Sequence, residues 1–538
     1  MKKPFAYEIP FNEEKGFQYR FFEVLPGFLS WFALVLPFVL AIWNVGLAAI
    51  IMIAYLILWF VKAVALNLRA VQGWRIFQDH LKVDWLALFE DVKKHDEHKK
   101  WPQWHLNNLA RIDREPNGIK PDEITHAVII ATWNEARETL KPTLDNVANS
   151  IGDPKKMIVL LAYEARGGEV VEKQAKALMK EYEHIFRVSR AVKHIDAPGE
   201  VIGKGPNISY TGRELAKIVD ELKIDPLQVL VTTLDADNRP HEGYFACLSY
   251  VYSVCHDPIY LSFQPIPMFT NNIWDAPAPM RVIATGNSYW MLIQGLRQHM
   301  LRNFSAHAQP LAALIQTDYW SRRTIVEDGH QFWRTYFAFD GKNEVIPIFL
   351  PIYQDAVLAK GYRRTLKAQF IQIRRWAWGA SDVAYVAKYG FFTKNKIPKT
   401  DVWFKFLRLL EGHFSWATAP LILAFGALIP WVFHQTNFVA NQLPQIASRI
   451  QTVAMLGILV TLYLSFKILP PKPSRYKKHR TIFMVLQWGL LPVTTICYSA
   501  FAALVSQTRL MFGRYLGKFD VTEKAVVTDT GVVTSHDE

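Results

Sequence analysis

Apolar residues are concentrated in long blocks near both ends of the chain, and shorter apolar runs alternate with polar stretches between them. The first block has no charged side chain from Val24 to Val61, a run of 38 residues. As one helix it would measure about 57 Å, nearly twice the roughly 30 Å of a bilayer's hydrocarbon core. Because Asn44-Val45-Gly46 offers a turn, the pattern predicts a hairpin of two membrane spans, near 26–43 and 46–66.

Two further spans are predicted towards the other end of the chain, at Phe414–Phe433 and Ile450–Phe466. The loop between them is nearly free of Lys and Arg, whereas basic residues precede the first span and follow the fourth: Lys2, Lys3, Lys15, Arg20, Lys467, Lys472, Arg475, Lys477, Lys478 and Arg480. The positive-inside rule therefore places both ends of this four-span set in the cytosol. We expect a multi-pass protein of the cell membrane with a cytosolic middle domain.

The last apolar run, Thr481 to Thr508, is interrupted by Pro492 and has basic residues at both ends. This pattern predicts a bent re-entrant segment that returns to the cytosolic side, with a fifth crossing as the alternative. The residues after Lys524 are expected to form an unstructured polar tail. The predicted organisation is a membrane hairpin (1–66), a cytosolic domain (67–400), an interfacial helix (401–413), a membrane region (414–516) and a terminal loop with a tail (517–538).

The middle of the chain alternates short apolar runs with amphipathic stretches, which predicts an α/β domain with a mostly parallel sheet. Strands are predicted at Thr125–Ala131, Met157–Ala162 and Leu227–Thr233. Each leads to a polar cluster: Thr132-Trp133-Asn134-Glu135, Tyr163-Glu164-Ala165-Arg166 and Asp235-Ala236-Asp237, respectively. Because ligands of such sheets bind beyond the carboxyl ends of the strands, we expect the three clusters to form one site.

Asp235 and Asp237 are two residues apart, so both carboxylates point to the same side if the strand continues through them. Two hard oxygen ligands suit Mg²⁺ or Mn²⁺, which proteins hold with one or two carboxylates and substrate phosphates. A solvated turn or a helix cap is the alternative for an isolated Asp-x-Asp. The position at the end of a buried strand favours the metal site.

The pentad Gln-Ile-Arg-Arg-Trp at 372–376 follows the Asp-Ala-Asp and a Glu327-Asp328 pair along the chain. On a helix, positions i, i+3 and i+4 share one face. Gln372, Arg375 and Trp376 would then present an amide, a guanidinium and an indole to a single site. A diphosphate and a sugar ring are ligands that need such groups, so the ordered set indicates sugar transfer.

The net charge of +13 raises the question of a nucleic-acid partner. Much of the excess lies beside the membrane spans, where anionic lipid is the expected partner, and no nucleic-acid motif is present in the sequence. Cys247, Cys255 and Cys497 lack the spacing of a metal site and cannot form a disulfide framework, which is typical of a reducing compartment.

From Thr125 to about Lys524 the chain resembles the membrane-embedded family 2 glycosyltransferases, the group that contains cellulose, hyaluronan and chitin synthases. Four motifs are similar to those of the family: Asn134-Glu135 to its first-strand Asn-Glu, Asp235-Ala236-Asp237 to its metal-binding Asp-x-Asp, Glu327-Asp328 to its Thr-Glu-Asp, and 372–376 to its Gln-x-x-Arg-Trp. Phe519–Lys524 resembles the Phe-x-Val-Thr-x-Lys gating loop of cellulose synthases. The resemblance implies a GT-A-like domain and inverting transfer from a nucleoside-diphosphate sugar to a growing polysaccharide.

The resemblance also implies roles for the matched residues. Asp328 would be the general base, and Asp235 with Asp237 would hold the metal. Arg375 would contact the diphosphate, Gln372 the diphosphate or the acceptor, and Trp376 the acceptor sugar. Contacts to the donor are expected from Thr132, Asn134, Glu135, Glu164, Lys204 and Asp235, and from Phe519, Val521 and Thr522 of the gating-like segment.

Several alternatives stay open at this point. The resemblance favours a UDP-sugar as the donor. Glu164 stands where the family has an Asp that contacts uracil, so the identity of the nucleotide base is left open. Lys204, in a Gly-rich turn, is expected at a phosphate or ribose or else in an ordinary surface loop. Glu327-Asp328 could instead be a helix-start pair, and Trp376 a core aromatic. Competing functions are transfer of one sugar to a membrane lipid and a catalytically dead membrane scaffold, which the intact motifs disfavour.

Overall fold

The structure is a computed structural model that describes residues 5–94, 100–477, 479–519, 522–523, 525–528 and 531–533. Its helices are α1 (Phe17–Trp43), α2 (Val45–His80), α3 (Trp85–Lys94), α4 (Gln103–Arg114), α5 (Arg137–Ala148), α6 (Gly168–Glu181), α7 (Lys204–Glu221), α8 (Tyr244–Ser253), α9 (Ala278–Gly295), α10 (Leu311–Gln316), α11 (Glu327–Ala338), α12 (Tyr362–Ala377), α13 (Asp382–Ala387), α14 (Lys399–Phe425), α15 (Leu428–Phe433), α16 (Phe438–Met455), α17 (Gly457–Ile468), α18 (Arg480–Leu486), α19 (Leu491–Thr494) and α20 (Phe501–Met511). Its strands are β1 (Thr125–Thr132), β2 (Met157–Glu164), β3 (Val188–His194), β4 (Val229–Asp235), β5 (Arg239–Pro240), β6 (Leu261–Met268), β7 (Ala308–Pro310), β8 (Glu344–Tyr353), β9 (Val526–Thr528) and β10 (Gly531–Val533).

An eight-stranded mixed sheet forms the centre of the α/β domain, in the order β3-β2-β1-β4-β7-β6-β8-β5. The first four strands are parallel, β7 runs antiparallel to both of its neighbours, and β8 is parallel to β6. The three predicted strands are all present, and β2 and β4 each end two residues later than predicted, at Glu164 and Asp235. This arrangement confirms the predicted α/β domain with a mostly parallel sheet, and the domain is joined to helices that are apolar enough to cross a membrane.

The central strands are almost continuously apolar because helices cover both faces of the sheet. Side chains of β1 alternate between two cores: Val128 and Ile130 belong to the core on one face, and Ala127 and Ile129 to the core on the other. All eight residues of β2 are buried. The two cores fix the positions at which the parallel strands end.

Among the described residues, four helical segments are long and apolar enough to cross a membrane: Phe17–Trp43, Val45–His80, Phe438–Ile468 and Arg480–Met511. The first two form the predicted hairpin, and the Asn44 side chain accepts a hydrogen bond from the Leu47 backbone N–H at 3.0 Å to begin α2. Helix α2 continues to His80 and passes the predicted domain boundary at 66. A Cβ at Gly73 would lie 3.0 Å from the Leu292 carbonyl oxygen, so α2 packs closely on α9 of the α/β domain.

The predicted third span, 414–433, and the predicted separate interfacial helix, 401–413, differ from the structure. Helix α14 runs from Lys399 to Phe425 and therefore joins both segments, while α15 forms a separate short helix. Helix α14 ends at Gly426, where a Cβ would lie only 2.6 Å from the Met52 side chain. Because α14 begins with a charged half and loses its last apolar residues at this break, it is not among the four apolar segments.

The last apolar run is one helical course from Arg480 to Met511, with 3₁₀ and π turns on either side of Pro492. Its two ends contact the same side of the helical region. Arg480 Nη2 donates to the Trp274 carbonyl oxygen of the α/β domain at 2.7 Å, and Arg20 Nη2 at the start of α1 donates to the Met511 carbonyl oxygen at 3.1 Å. The segment is nevertheless long and apolar enough to cross a membrane, so the choice between a re-entrant course and a fifth crossing stays a prediction.

The chain after Lys524 differs from the unstructured tail expected of it. Strands β9 and β10 pair antiparallel, with Val527 opposite Val532. A short hairpin therefore follows the gating-like segment.

We predict that a cysteine replacing Asn437, in the loop between α15 and α16, reacts with an impermeant maleimide from outside the cell, whereas one replacing Arg475 reacts only after permeabilisation. His434 bonds to a carbonyl oxygen of α1 at 2.7 Å, near the hairpin turn, and Arg475 pairs with Asp275 of the α/β domain at 2.7 Å. The two positions therefore lie at opposite ends of the helical bundle. The native cysteines are first replaced by serine, and labelling of both positions from outside would contradict the topology.

Candidate active site

The carboxyl ends of β1, β2 and β4 open into one cavity of about 1700 Å³. Its lining includes the following residues predicted from the sequence: Thr132, Glu135, Glu164, Lys204, Asp235, Asp237, Asp328, Gln372, Arg375, Trp376, Phe519 and Thr522. Asn134 is not in the lining, and Val521 lies outside the described residues. Segments far apart in the chain are thus brought together, while the role of each residue stays a prediction.

Lys204 lies at the centre of this cluster. Its Nζ is 2.9 Å from Asp235 Oδ1, 3.3 Å from Asp328 Oδ2 and 3.8 Å from Glu327 Oε1. Burial alone would lower the pKa of Lys204, but the three carboxylates raise it overall. The surface-loop alternative for Lys204 is therefore wrong, because the residue is buried at the first position of α7.

Glu327 and Asp328 are the first two residues of α11, where the helix dipole favours negative charge. The helix-start alternative therefore holds for this pair, and both residues also line the cavity, while their role in a reaction stays a prediction. Glu327 is buried, and burial followed by the charge of Asp328 raises the pKa of its carboxyl. The Asp328 side chain keeps 19% exposure, so it is the carboxylate of the pair that is accessible to a substrate in the cavity.

Glycines precede and follow Lys204 because close packing leaves no room for a side chain at either position. A Cβ at Gly205 would lie 2.6 Å from the Ser321 carbonyl oxygen and 3.2 Å from Glu327 Cβ. A Cβ at Gly203 would lie 2.6 Å from Phe519 Cβ. The two glycines therefore let α7 begin in close contact with α11 and with the gating-like segment.

Asp235 and Asp237 both line the cavity, although β4 ends at Asp235 and Asp237 follows in a turn. Asp235 Oδ2 accepts a hydrogen bond from Ser305 Oγ at 2.7 Å, and Asp237 Oδ2 accepts one from the Asp355 backbone N–H at 3.0 Å. Two carboxylates that share a water-accessible cavity are the donor set that Mg²⁺ and Mn²⁺ prefer. The residues present therefore fit such an ion, which would share Asp235 with Lys204.

Glu135 stabilises the loop that follows β1. Its Oε2 accepts hydrogen bonds from Thr132 Oγ1 and from the Trp133 backbone N–H, both at 2.7 Å. Gln174 Nε2 donates to the Glu135 carbonyl oxygen at 2.8 Å. The Glu135 side chain thus determines the loop conformation, and a direct contact with a donor stays a prediction.

Beside this loop, Glu164 is held by two cationic groups. Its Oε2 lies 3.2 Å from His194 Nδ1 and 3.3 Å from Arg166 Nη2, while His194 Nε2 lies 3.2 Å from Glu200 Oε2. Burial alone would lower the pKa of His194, but the hydrogen bonds to Glu164 and Glu200 raise it to about 9. His194 is thus an imidazolium between two carboxylates at neutral pH.

The sequence analysis missed His194. His194 is the last residue of β3, so the expectation that sites lie at the carboxyl ends of strands would have included it. Strand β3 has no continuous apolar run, however, so the sequence did not indicate a strand there. Ligand atoms of Glu164, His194 and Asp196 lie within 4.8 Å of one another, a spacing that suits a metal. In this structure Arg166 Nε pairs with Asp196 at 3.1 Å and His194 lies between Glu164 and Glu200, so the group forms a charge network that orients Glu164.

The pentad lies on α12, as predicted, and Gln372, Arg375 and Trp376 all line the cavity. Arg375 Cζ lies 3.7 Å from the centre of the Phe519 ring, and Gln372 Nε2 lies 3.5 Å from Thr522 Oγ1. The Phe519 backbone N–H donates to the Ile202 carbonyl oxygen at 2.7 Å. The gating-like segment therefore contacts both α12 and the residues just before α7.

No protein-family model matches the chain, and a search of curated proteins found no match. Among solved structures, the mannosyltransferase PcManGT of Pyrobaculum calidifontis in complex with GDP-Man and Mn²⁺ is similar over 84% of this chain and 100% of that chain, with 13% identity and a TM-score of 0.43. S. aureus TarS 1–349 in complex with UDP-GlcNAc is similar over 77% of this chain and 97% of that chain, with 9% identity and a TM-score of 0.35. Likenesses of this size transfer no substrate and no metal to this chain.

We predict that replacing His194 with Gln removes a pH-dependent part of the stability. A pKa raised from 6.5 to about 9 stabilises the folded state fully below pH 6.5, and this contribution is lost as the pH rises through about 9. The His194→Gln variant should therefore melt roughly 5 °C lower at pH 6 and should converge with the wild type near pH 10. Thermal unfolding in detergent from pH 6 to pH 10 measures this difference in melting temperature, and the His184→Gln variant, at an exposed histidine, is the control. A parallel pH profile for both proteins would contradict the network.

Proposed function

We propose that this chain is a membrane glycosyltransferase that transfers a sugar from a nucleoside-diphosphate sugar to a growing polysaccharide at the cytosolic face of the cell membrane. The observation that carries the proposal is the convergence of Lys204, Asp235 and Asp328 on one cavity with the pentad of α12. Cations for a diphosphate, a carboxylate for a hydroxyl proton and an indole for a sugar ring are the groups that such a transfer requires. A scaffold without catalysis would not require these charges to line the same cavity as the amide, guanidinium and indole of the pentad.

In the proposed reaction, the acceptor hydroxyl attacks the anomeric carbon of the donor while the bond from that carbon to the diphosphate oxygen breaks. Asp328 takes the hydroxyl proton, and the configuration of the anomeric carbon inverts. Lys204 lies 3.3 Å from Asp328 and orients it, and Arg375 binds the diphosphate through its planar fork. Asp235 and Asp237 would hold Mg²⁺ or Mn²⁺, which would neutralise charge on the leaving diphosphate.

The donor end of the cavity is proposed to lie at Thr132 and Glu164. Glu164 is the last residue of β2 and lines the cavity, and its fixed carboxylate suits a ring N–H donor. A UDP-sugar is favoured among such donors. Phe519 and Thr522 form the proposed lid, which would exclude water once the donor is bound.

A carbohydrate acceptor is favoured by the size and lining of the cavity. Sites for small molecules usually measure about 300–1000 Å³, whereas this cavity measures about 1700 Å³. Besides Trp376, its lining includes Trp290, Trp416 of α14 and Tyr498 of the last helix. Aromatic faces suit sugar rings, so several units of a chain could be held. Transfer of a single sugar to a membrane lipid is the second candidate, because the same cavity reaches the membrane helices.

We predict that Asp328→Asn lowers the rate of sugar transfer by about 10²–10⁴-fold, the usual contribution of a positioned proton acceptor. Donor binding should stay within a few-fold of the wild type, since the amide keeps the shape of the carboxylate. Release of nucleoside diphosphate gives the rate, and calorimetric titration with the donor gives the affinity. Asp113→Asn, on the exposed face of α4, is the matched control. A parallel fall of rate and affinity would remove Asp328 from the role of base.

A further inference from the structure

Four basic side chains line the end of the cavity where α2 and α14 meet the chain that follows α9. They are Lys62 and Arg69 of α2, Arg297 just after α9, and Arg408 of α14. Arg69 and Arg408 are exposed, whereas Lys62 and Arg297 are half-buried. We call these four residues the basic cluster. It is distinct from the group around Lys204, because none of its members contacts the catalytic carboxylates.

The basic cluster has more positive charge than its neighbours balance. Glu411 is the carboxylate that faces it: Oε1 lies 2.9 Å from Lys62 Nζ, and Oε2 lies 4.0 Å from Arg408 Nη1. Arg69 and Arg297 have no ion pair within the part of the chain that the structure describes. Four cations and one carboxylate leave a net charge of +3 at this place. Burial, and then the charges of Arg69 and Arg408, lower the pKa of Arg297, which agrees with crowded cations.

Exposed apolar side chains of the same helices flank the basic cluster, and two of them, Leu66 and Phe404, also line the cavity. Leu66 and Leu68 of α2 and Trp403, Phe404 and Leu407 of α14 are all exposed. Positive groups that follow an apolar helix surface lie at the level of lipid headgroups. The cluster is therefore placed where a lipid phosphate would meet the entrance of the cavity.

The basic cluster and Asp328 of the proposed reaction centre line the same cavity. Arg302 also lines the cavity, and its Cζ lies 4.7 Å from the centre of the Trp333 ring. Trp333 is on α11, five residues after Asp328, which is roughly 7.5 Å along the helix axis. An acceptor held by a phosphate at the entrance could therefore extend its hydroxyl end towards Asp328.

We infer that the basic cluster binds the phosphate of a membrane lipid on which the acceptor chain is built, so that this lipid anchors the growing polysaccharide at the mouth of the cavity. The inference rests on the proposed function. A single arginine binds phosphate oxygens through two parallel N–H donors of its guanidinium. The three arginines of the cluster come from three different parts of the fold. A free phosphate would gain nothing from the apolar flanks, whereas the tail of a lipid would lie along them.

The test uses the full-length protein in phosphatidylcholine nanodiscs that contain either a long-chain isoprenoid monophosphate or the corresponding isoprenoid alcohol. Native mass spectrometry counts the retained isoprenoid. We expect the wild type to retain the monophosphate at least tenfold better than the alcohol, and the Arg69→Gln, Arg297→Gln double variant to lose this preference. Arg75→Gln, on an exposed position of α2 outside the cavity, should behave as the wild type.

Equal retention of the alcohol and the monophosphate by the wild type would overturn the inference. So would displacement of the monophosphate by millimolar inorganic phosphate, which would indicate a site for free phosphate, or by an acidic polysaccharide, which would indicate a glycan site. Calorimetric titration with the sugar donor is the control for folding: a variant that binds the donor as the wild type does is folded. Retention of the monophosphate by a wild type that binds no donor would count against the proposed function alone.

Discussion

One buried ammonium group holds three carboxylates from different parts of the fold together. Lys204 Nζ lies within 4 Å of Asp235, Glu327 and Asp328, which come from the end of β4 and the start of α11. Breaking a buried ion pair typically costs about 3–5 kcal/mol, because the remaining charge is left without a partner. The two glycines beside Lys204 allow this approach, and the gating-like segment packs against one of them. The shape of the site and the position of the segment that covers it therefore depend on the same few contacts.

Helices α2 and α14 complete the site and also link the α/β domain to the apolar helices. Helix α2 extends into the α/β domain, and α14 passes without interruption from the domain side into the apolar bundle. Both contribute residues to the cavity that contains Asp328. Charge changes along this cavity, from carboxylates near Lys204 to arginines at the membrane level. Such an arrangement suits an acceptor whose reacting end is a neutral sugar and whose anchored end carries negative charge.

Local patterns in the sequence predicted the parts of the fold that are local in origin. The buried strands β1, β2 and β4 are continuous apolar runs, and the pentad has the spacing of one helix face, so both could be found without a structure. His194 could not be found in that way, because β3 lies at the edge of the sheet and its apolar residues are interrupted by Ser189, Arg190 and Lys193. The burial of Lys204 depends on Asp328, 124 residues later in the chain. Helices α2 and α14 continue through the boundaries predicted at 66 and 413, because the change between apolar and charged residues at these places does not end a helix.

The central claim is that the cavity transfers sugar from a nucleotide sugar to a carbohydrate chain. It is tested most directly with purified full-length protein in lipid nanodiscs, supplied with Mn²⁺ and each of a panel of nucleoside-diphosphate sugars. Release of the nucleoside diphosphate and the size of the labelled product are measured together. We predict Mn²⁺-dependent release from one donor and a labelled product of several sugar units. Folded protein that releases no nucleoside diphosphate from any donor would contradict the account.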